Sequence, residues 1–118
     1  MTFRNGLEAL ILAALREGPL HGYAIAQRIR GGSGEVLRFG EGQIYPALHR
    51  LEEQGLVTTE WEPQEGRPAR RVYSITAEGM GRLERQVQEW RRFSQAVTSL
   101  LKPRPAAGET AKEAWDNG

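Results

Sequence analysis

Apolar positions along the chain change spacing twice, and those changes divide it into elements. Asn5-Gly6-Leu7-Glu8 has capping-box spacing, with Asn5 as N-cap and Glu8 reaching back. Leu7, Ile11 and Leu15 then form a helical stripe, with Leu10 and Ala14 beside it, and Gly18-Pro19 ends the helix. A second short helix, His21 to Arg30, carries Tyr23, Ile25, Ala26 and Ile29. Gly31-Gly32-Ser33-Gly34 reads as a flexible loop, and Val36-Leu37-Arg38-Phe39 as a brief extended or irregular piece. A third helix lies within GQIYPALHRLEEQGLV (Gly42–Val57), where Ile44, Leu48 and Leu51 fall at helical spacing and Gly55 supplies the stop.

After Gly55 the period shortens to two. Val57, Thr59 and Trp61 alternate with polar neighbours, Pro63-Gln64-Glu65-Gly66-Arg67-Pro68 interrupts, and Arg71, Tyr73 and Ile75 alternate again. This pattern predicts a β-hairpin with a long, arginine-bearing loop. Thr76 then caps a last helix with apolar Met80, Leu83, Val87, Trp90, Val97 and Leu101. From Leu83 the steps are four, three, seven and four, with Ser94 in the missing seam position. Such a 3.5-residue period is that of a coiled-coil seam. Beyond Lys102 the Pro-, Ala- and Gly-rich tail reads as disordered.

Three helices and a hairpin, in that order, make an α+β winged helix-turn-helix, in which the third helix enters the DNA major groove and the hairpin flanks it. The expected organisation is a DNA-binding domain over residues 1–76, a dimerisation helix over 77–102 and a disordered tail over 103–118. The outer face of the third helix carries Gln43, Tyr45, Pro46, His49 and Arg50, side chains suited to phosphate oxygens or base edges. Pro46 lacks an N–H and is costly inside a helix. Two readings stay open: Pro46 tilts the first turn toward DNA, or the helix starts near Gln43 and Pro46 falls within its first turn.

Composition narrows the function classes. Without cysteine there is no disulfide, thiolate chemistry or cysteine-ligated zinc. No apolar run reaches the roughly 18 residues of a membrane span, and MTFRNGLE has no signal-peptide pattern, so a cytoplasmic protein is expected. A net charge of +1 is uninformative, but 14 of the 16 basic residues are arginine, the side chain suited to bidentate phosphate contacts and also a mark of GC-rich coding. His21 and His49 are the only histidines and Asp116 the only aspartate, so neither an enzyme nor a metal or cofactor site is expected. The rival class is a winged helix used for protein interaction; arginines on both the third helix and the wing weigh against it.

LHGYAIAQRI (Leu20–Ile29), GQIYPALHRLEEQGLV and GRPARRVYSITAEG (Gly66–Gly79) together resemble the PadR family of bacterial transcriptional regulators. The single terminal helix resembles its small subfamily, whose members dimerise through that helix. The resemblance implies a homodimeric repressor on a palindromic operator in double-stranded DNA. It places Tyr45 on the DNA backbone, His49 or Arg50 on a base or phosphate, and Arg67, Arg70 and Arg71 in the wing. Arg70 is the preferred wing contact, because Arg71 shares a face with Tyr73. Tyr23 is expected in the core, and Glu52 and Glu53 on a solvated face. Gln43 stands where the family often has Ser or Thr, so the operator sequence does not carry over.

Leu83, Val87, Trp90, Val97 and Leu101 are the expected dimerisation residues. Trp90 has a second reading. Multidrug-binding members of the small subfamily have a Glu-x-Trp-like segment here, and their paired tryptophans sandwich flat aromatic ligands at the dimer centre. Glu89-Trp90 is similar, whereas Ser94 stands where an acidic residue would hold a cation; Glu8 is the candidate substitute. Packing and ligand platform both remain open for Trp90.

Overall fold

The computed structural model describes residues 6–103 of the 118-residue chain. In order, the elements are α1 (Gly6–Leu15), β1 (Leu20–His21), α2 (Gly22–Gly32), α3 (Glu41–Glu53), β2 (Val57–Gln64), β3 (Arg67–Ile75) and α4 (Ala77–Leu101). The expected cap at Asn5 lies outside the described residues, as does the tail from residue 104. Two units are distinct: one reaches as far as Gln86, the other runs from Val87 onward.

In the first unit, α1, α2 and α3 bury Ile11, Leu12, Leu15, Ile25, Ile29, Ile44, Ala47, Leu48 and Leu51 together with Leu56, Val57 and Tyr73. Each large aliphatic side chain so buried contributes about 1.5–3 kcal/mol of transfer free energy. The antiparallel sheet has the order β1-β3-β2. Its outer strand β1, which pairs Leu20 with Tyr73 and His21 with Val72, was not foreseen, because two residues are too few to show a period.

The hairpin departs from expectation. No long loop interrupts it: the strands run to Gln64 and from Arg67, leaving only Glu65-Gly66 between them. Pro63 is absorbed where the register shifts between Glu62 and Gln64, the place in a ladder that tolerates a residue with no N–H. Gly66, at φ 71°, supplies the left-handed corner.

Helix α3 stops as its sequence predicts. Leu56 N–H donates to the Leu51 carbonyl at 2.9 Å and Gly55 N–H to the Glu52 carbonyl at 3.0 Å, while Gly55 takes φ 74°. This pair of bonds around a left-handed glycine is the Schellman stop. Thr76 caps α4, its Oγ1 accepting from Gly79 N–H at 3.0 Å and donating to the Gly55 carbonyl at 2.8 Å.

Two expectations fail on burial. Tyr23 is not core; it is 57% exposed on α2, because the inward face of that helix is filled by Gly22, Ile25 and Ile29. Leu83 is not part of an open seam, being only 3% exposed within the single chain. It follows the buried Gly79 by one turn of α4, so the start of that helix belongs to the first unit's core. No helix of the described residues is long and apolar enough to cross a membrane.

Candidate nucleic-acid interface

The buried set Ile44, Ala47, Leu48 and Leu51 fixes the rotation of α3. At 3.6 residues per turn, the opposite side presents Gly42, Pro46, His49 and Glu53. Gln43 and Arg50 fall on one flank, Tyr45 and Glu52 on the other. All are exposed except Glu52, which is half-buried.

Gly40 is the N-cap and Glu41 the first residue of α3, so Pro46 lies beyond the first turn. The expected start near Gln43 is therefore corrected. Gln43 is the reason the helix begins earlier: its Oε1 accepts the Gly40 N–H at 3.3 Å, closing the N-terminus upstream. The acceptor that Pro46 leaves without a helical donor is the Gly42 carbonyl four residues back. Both residues sit on the exposed face of α3. The proline is tolerated because it lies on the solvent side.

The flanks are engaged. A Cβ at Gly22 would lie 2.7 Å from the Tyr45 hydroxyl oxygen, so the ring rests on the backbone at the start of α2. On the other flank, Arg50 Nε lies 3.5 Å from Glu8 Oε1. That carboxylate oxygen is buried and accepts no hydrogen bond from a described residue, which makes Arg50 its charge partner. On the outward face His49 Nε2 is 2.7 Å from Glu53 Oε1, one turn along.

In the wing, register separates the arginines. Arg71 is paired with Trp61 and Arg70 with Glu62 across the strands, so their side chains leave opposite faces. Arg70 Nη2 lies 3.0 Å from Glu62 Oε1. Arg71 Nη2 donates to Thr59 Oγ1 at 2.9 Å and lies 3.4 Å from Glu52 Oε2. Its guanidinium also stands 5.6 Å from the Trp61 ring and 5.9 Å from the Tyr73 ring. Burial pushes the Tyr73 phenol above its ordinary 10.0, against the opposing pull of Arg71. Arg67, beside the turn, is in no ion pair with a described residue.

Glu52 is thus not simply a solvated residue; it joins α3 to the wing, and only the register of two distant strands reveals that. Another group missed from sequence lies between α2 and α3. Glu35, a non-glycine residue at φ 71°, pairs with Arg30 and lies 3.7 Å from Arg38. Exposed pairs of this kind are worth about 0–1 kcal/mol each.

The second unit holds the rest of α4. Trp90 and Phe93 are exposed with ring centroids 5.8 Å apart, tilted by 41°. Val87 and Val97 are half-buried. Leu100 and Leu101 are 86% and 78% exposed.

A helix with a solvent-facing outer surface, followed by a two-stranded wing, defines the first unit as a winged helix-turn-helix. Residues 11–85 match the transcriptional regulator PadR-like family, and the chain belongs to that family. It is 41% identical over 99 residues to an uncharacterized 37.1 kDa protein in a transposon of Streptomyces fradiae, covering 84% of this chain and 27% of that one. It is 27% identical over 96 residues to the negative transcriptional regulator PadR of Bacillus subtilis, covering 81% of this chain and 50% of the other. The chain therefore spans about a quarter and half of the length of these two relatives. Among solved structures, a transcriptional regulator from Clostridium thermocellum superposes with a TM-score of 0.77 at 28% identity, over 85% of this chain and 97% of that one. A PadR family regulator from Eggerthella lenta gives 0.73 at 33% identity, over 86% of both.

Proposed function

We propose that the protein is a homodimeric repressor that binds a palindromic operator in double-stranded DNA. The observation that carries this reading is the solvent-facing side of α3, with its proline and histidine, beside a wing bearing Arg67, Arg70 and Arg71. Pro46 over Gly42 gives that side a low apolar profile suited to a thymine methyl, while His49 offers a hydrogen bond to a base edge. The wing arginines supply phosphate contacts. Repression is favoured by the Bacillus subtilis relative, a negative regulator. Dimerisation is favoured by the exposed apolar side chains of α4 from Trp90 to Leu101.

Binding is tested on an operator selected by the wild-type chain from a randomised duplex pool, alongside random duplex. His49→Ala or Arg50→Ala should lose part of the preference for operator, since a base-edge contact carries about 1–3 kcal/mol. Arg70→Ala should weaken both duplexes and flatten the salt slope by about one phosphate's worth. A slope and affinity unchanged in Arg70→Ala would remove Arg70 from the interface.

A second reading has its own support. His49, Arg50, Arg70 and Arg71 each face a carboxylate, the mixed surface of a protein-interaction module. Retention on heparin or random DNA that falls steeply with salt separates the two, because counterion release belongs to polyanion binding.

Trp90 is proposed as a platform for a flat aromatic effector. Offset stacking on an indole is worth about 0.5–1.5 kcal/mol beyond area burial, and a delocalised cation gains more. Glu8 is a weaker part of this proposal, since its charge is matched by Arg50. Flat dyes should quench tryptophan fluorescence in the wild type and not in a dimeric Trp90→Ala variant. Equal quenching in both leaves Trp90 with packing alone.

A further inference from the structure

Arg71, passed over for Arg70 as the preferred wing contact, is held by more partners than Arg70 is. Arg71 joins three parts of the first unit at one guanidinium: Thr59 on β2 at 2.9 Å, the Glu52 carboxylate on α3 at 3.4 and 3.5 Å, and the Trp61 and Tyr73 rings. Glu52 Oε2 also accepts from Thr59 Oγ1 at 3.2 Å, closing a three-membered polar cluster. Tyr73 is buried, whereas Trp61 is 66% exposed. The cluster therefore runs from the core, past α3, to an indole on open surface. The hydrogen bonds of Arg71 to Thr59 and Glu52 all leave from Nη2, and a guanidinium has five N–H donors in a fixed fork.

Resting on the DNA-binding reading above, we propose that Arg71 and Trp61 form a DNA-backbone contact on the wing, with Glu52 as the residue that positions it from α3. A carboxylate beside a nucleic-acid surface opposes binding by simple charge. What it provides is register. A two-stranded ribbon projecting from a small sheet bends easily, and the Glu52–Arg71 link fixes its root to the helix proposed to read bases. Backbone contacts fix how a protein sits on the duplex, and base contacts then specify. Trp61 extends the fixed plane outward, its exposed face able to lie against deoxyribose while Arg71 turns its unused N–H groups to phosphate.

This predicts opposite changes in two quantities that ordinary destabilisation would move together. In the full-length chain, Glu52→Gln should bind random duplex as well as or better than wild type, with a salt slope steeper by about one charge. Its ratio of affinities for pool-selected operator over random duplex should fall several-fold. Thr59→Val removes the other anchor without changing charge; it should lower the same ratio and leave the salt slope alone. Trp61→Ala should weaken both duplexes several-fold.

Unchanged ratios in Glu52→Gln and Thr59→Val, or losses on both duplexes that track a lowered Tm, would overturn the positioning role. Undiminished binding by Trp61→Ala would remove the indole contact. Failure of the wild type to bind any duplex would instead defeat the DNA-binding reading itself, a result the variants cannot mimic.

Discussion

A chain carrying Val87→Asp together with Val97→Asp should sediment as a monomer under conditions where the wild type sediments as a dimer. On α4, Val87, Trp90 and Val97 are spaced three and seven apart, and Phe93, Leu100 and Leu101 widen the apolar face. In the single chain Leu100 and Leu101 are mostly exposed, and two copies packed seam to seam would cover such a face. The double variant would place four carboxylates in that seam. An ion buried without a partner costs several kcal/mol, more than the two valines return by packing. Operator affinity should fall by about 10²–10⁴, because each half-site is then engaged without the effective concentration that a linked partner supplies. Binding to a single half-site should survive, since the first unit is untouched. A double variant that still sediments as a dimer would place the interface elsewhere. Leu83→Asp makes the contrast: Leu83 is core, so that substitution should unfold the chain rather than dissociate it.

The helices and the stop signals were legible because each is encoded within a few residues. Gly55 and Thr76 are examples: a left-handed glycine and a capping hydroxyl act on backbone groups within one turn. Arg71 and Tyr73 were likewise readable as sharing a face from their alternation, as were Thr59 and Trp61; the register that sets the two pairs side by side comes only from the structure. What sequence did not show depends on partners distant along the chain. Glu52 looks like a solvated residue until the strand register sets Arg71 and Thr59 beside it. Arg50 looks free until α1 brings Glu8 against it. Leu83 shared a 3.5-residue repeat with the true surface positions of α4, and periodicity alone does not distinguish a residue facing its own domain from one facing outward. The wing's two prolines suggested a loop, yet a shift of register absorbed Pro63 without ending the ladder. Tyr23 lies outside the core for a related reason: two isoleucines four apart and a glycine already fill the inward side of α2, leaving the aromatic outside.

Adding one methyl group at Gly79 should destabilise the protein more than any other single methyl on α4. Helix propensity argues the other way, favouring alanine over glycine by about 0.8–1 kcal/mol in a helix interior. Space decides against it. A Cβ at Gly79 would lie 2.2 Å from the Leu56 carbonyl oxygen and 2.7 Å from Ile75 Cγ1. That carbonyl is not free to move away, since it accepts the Thr76 N–H at 3.1 Å, and Thr76 in turn caps α4 through the Gly79 N–H. The new methyl therefore forces the helix start off the end of the hairpin and breaks its own cap. Overpacking costs about 1–3 kcal/mol and loss of a cap about 0.5–2 kcal/mol, together exceeding the gain in propensity. At about 4–8 °C per kcal/mol for a small domain, Tm for Gly79→Ala should fall by roughly 10 °C. Gly81, two residues on, provides the control, because only the far end of Arg85 comes near, with Nη1 at 3.8 Å from an added Cβ. Gly81→Ala should raise Tm by a few degrees through propensity alone. Thermal unfolding followed by circular dichroism reads both variants, and the expected result is a change of opposite sign. If Gly79→Ala is as stable as Gly81→Ala, the start of α4 is not packed on the Leu56 backbone, and the seating of that helix on the hairpin is wrong.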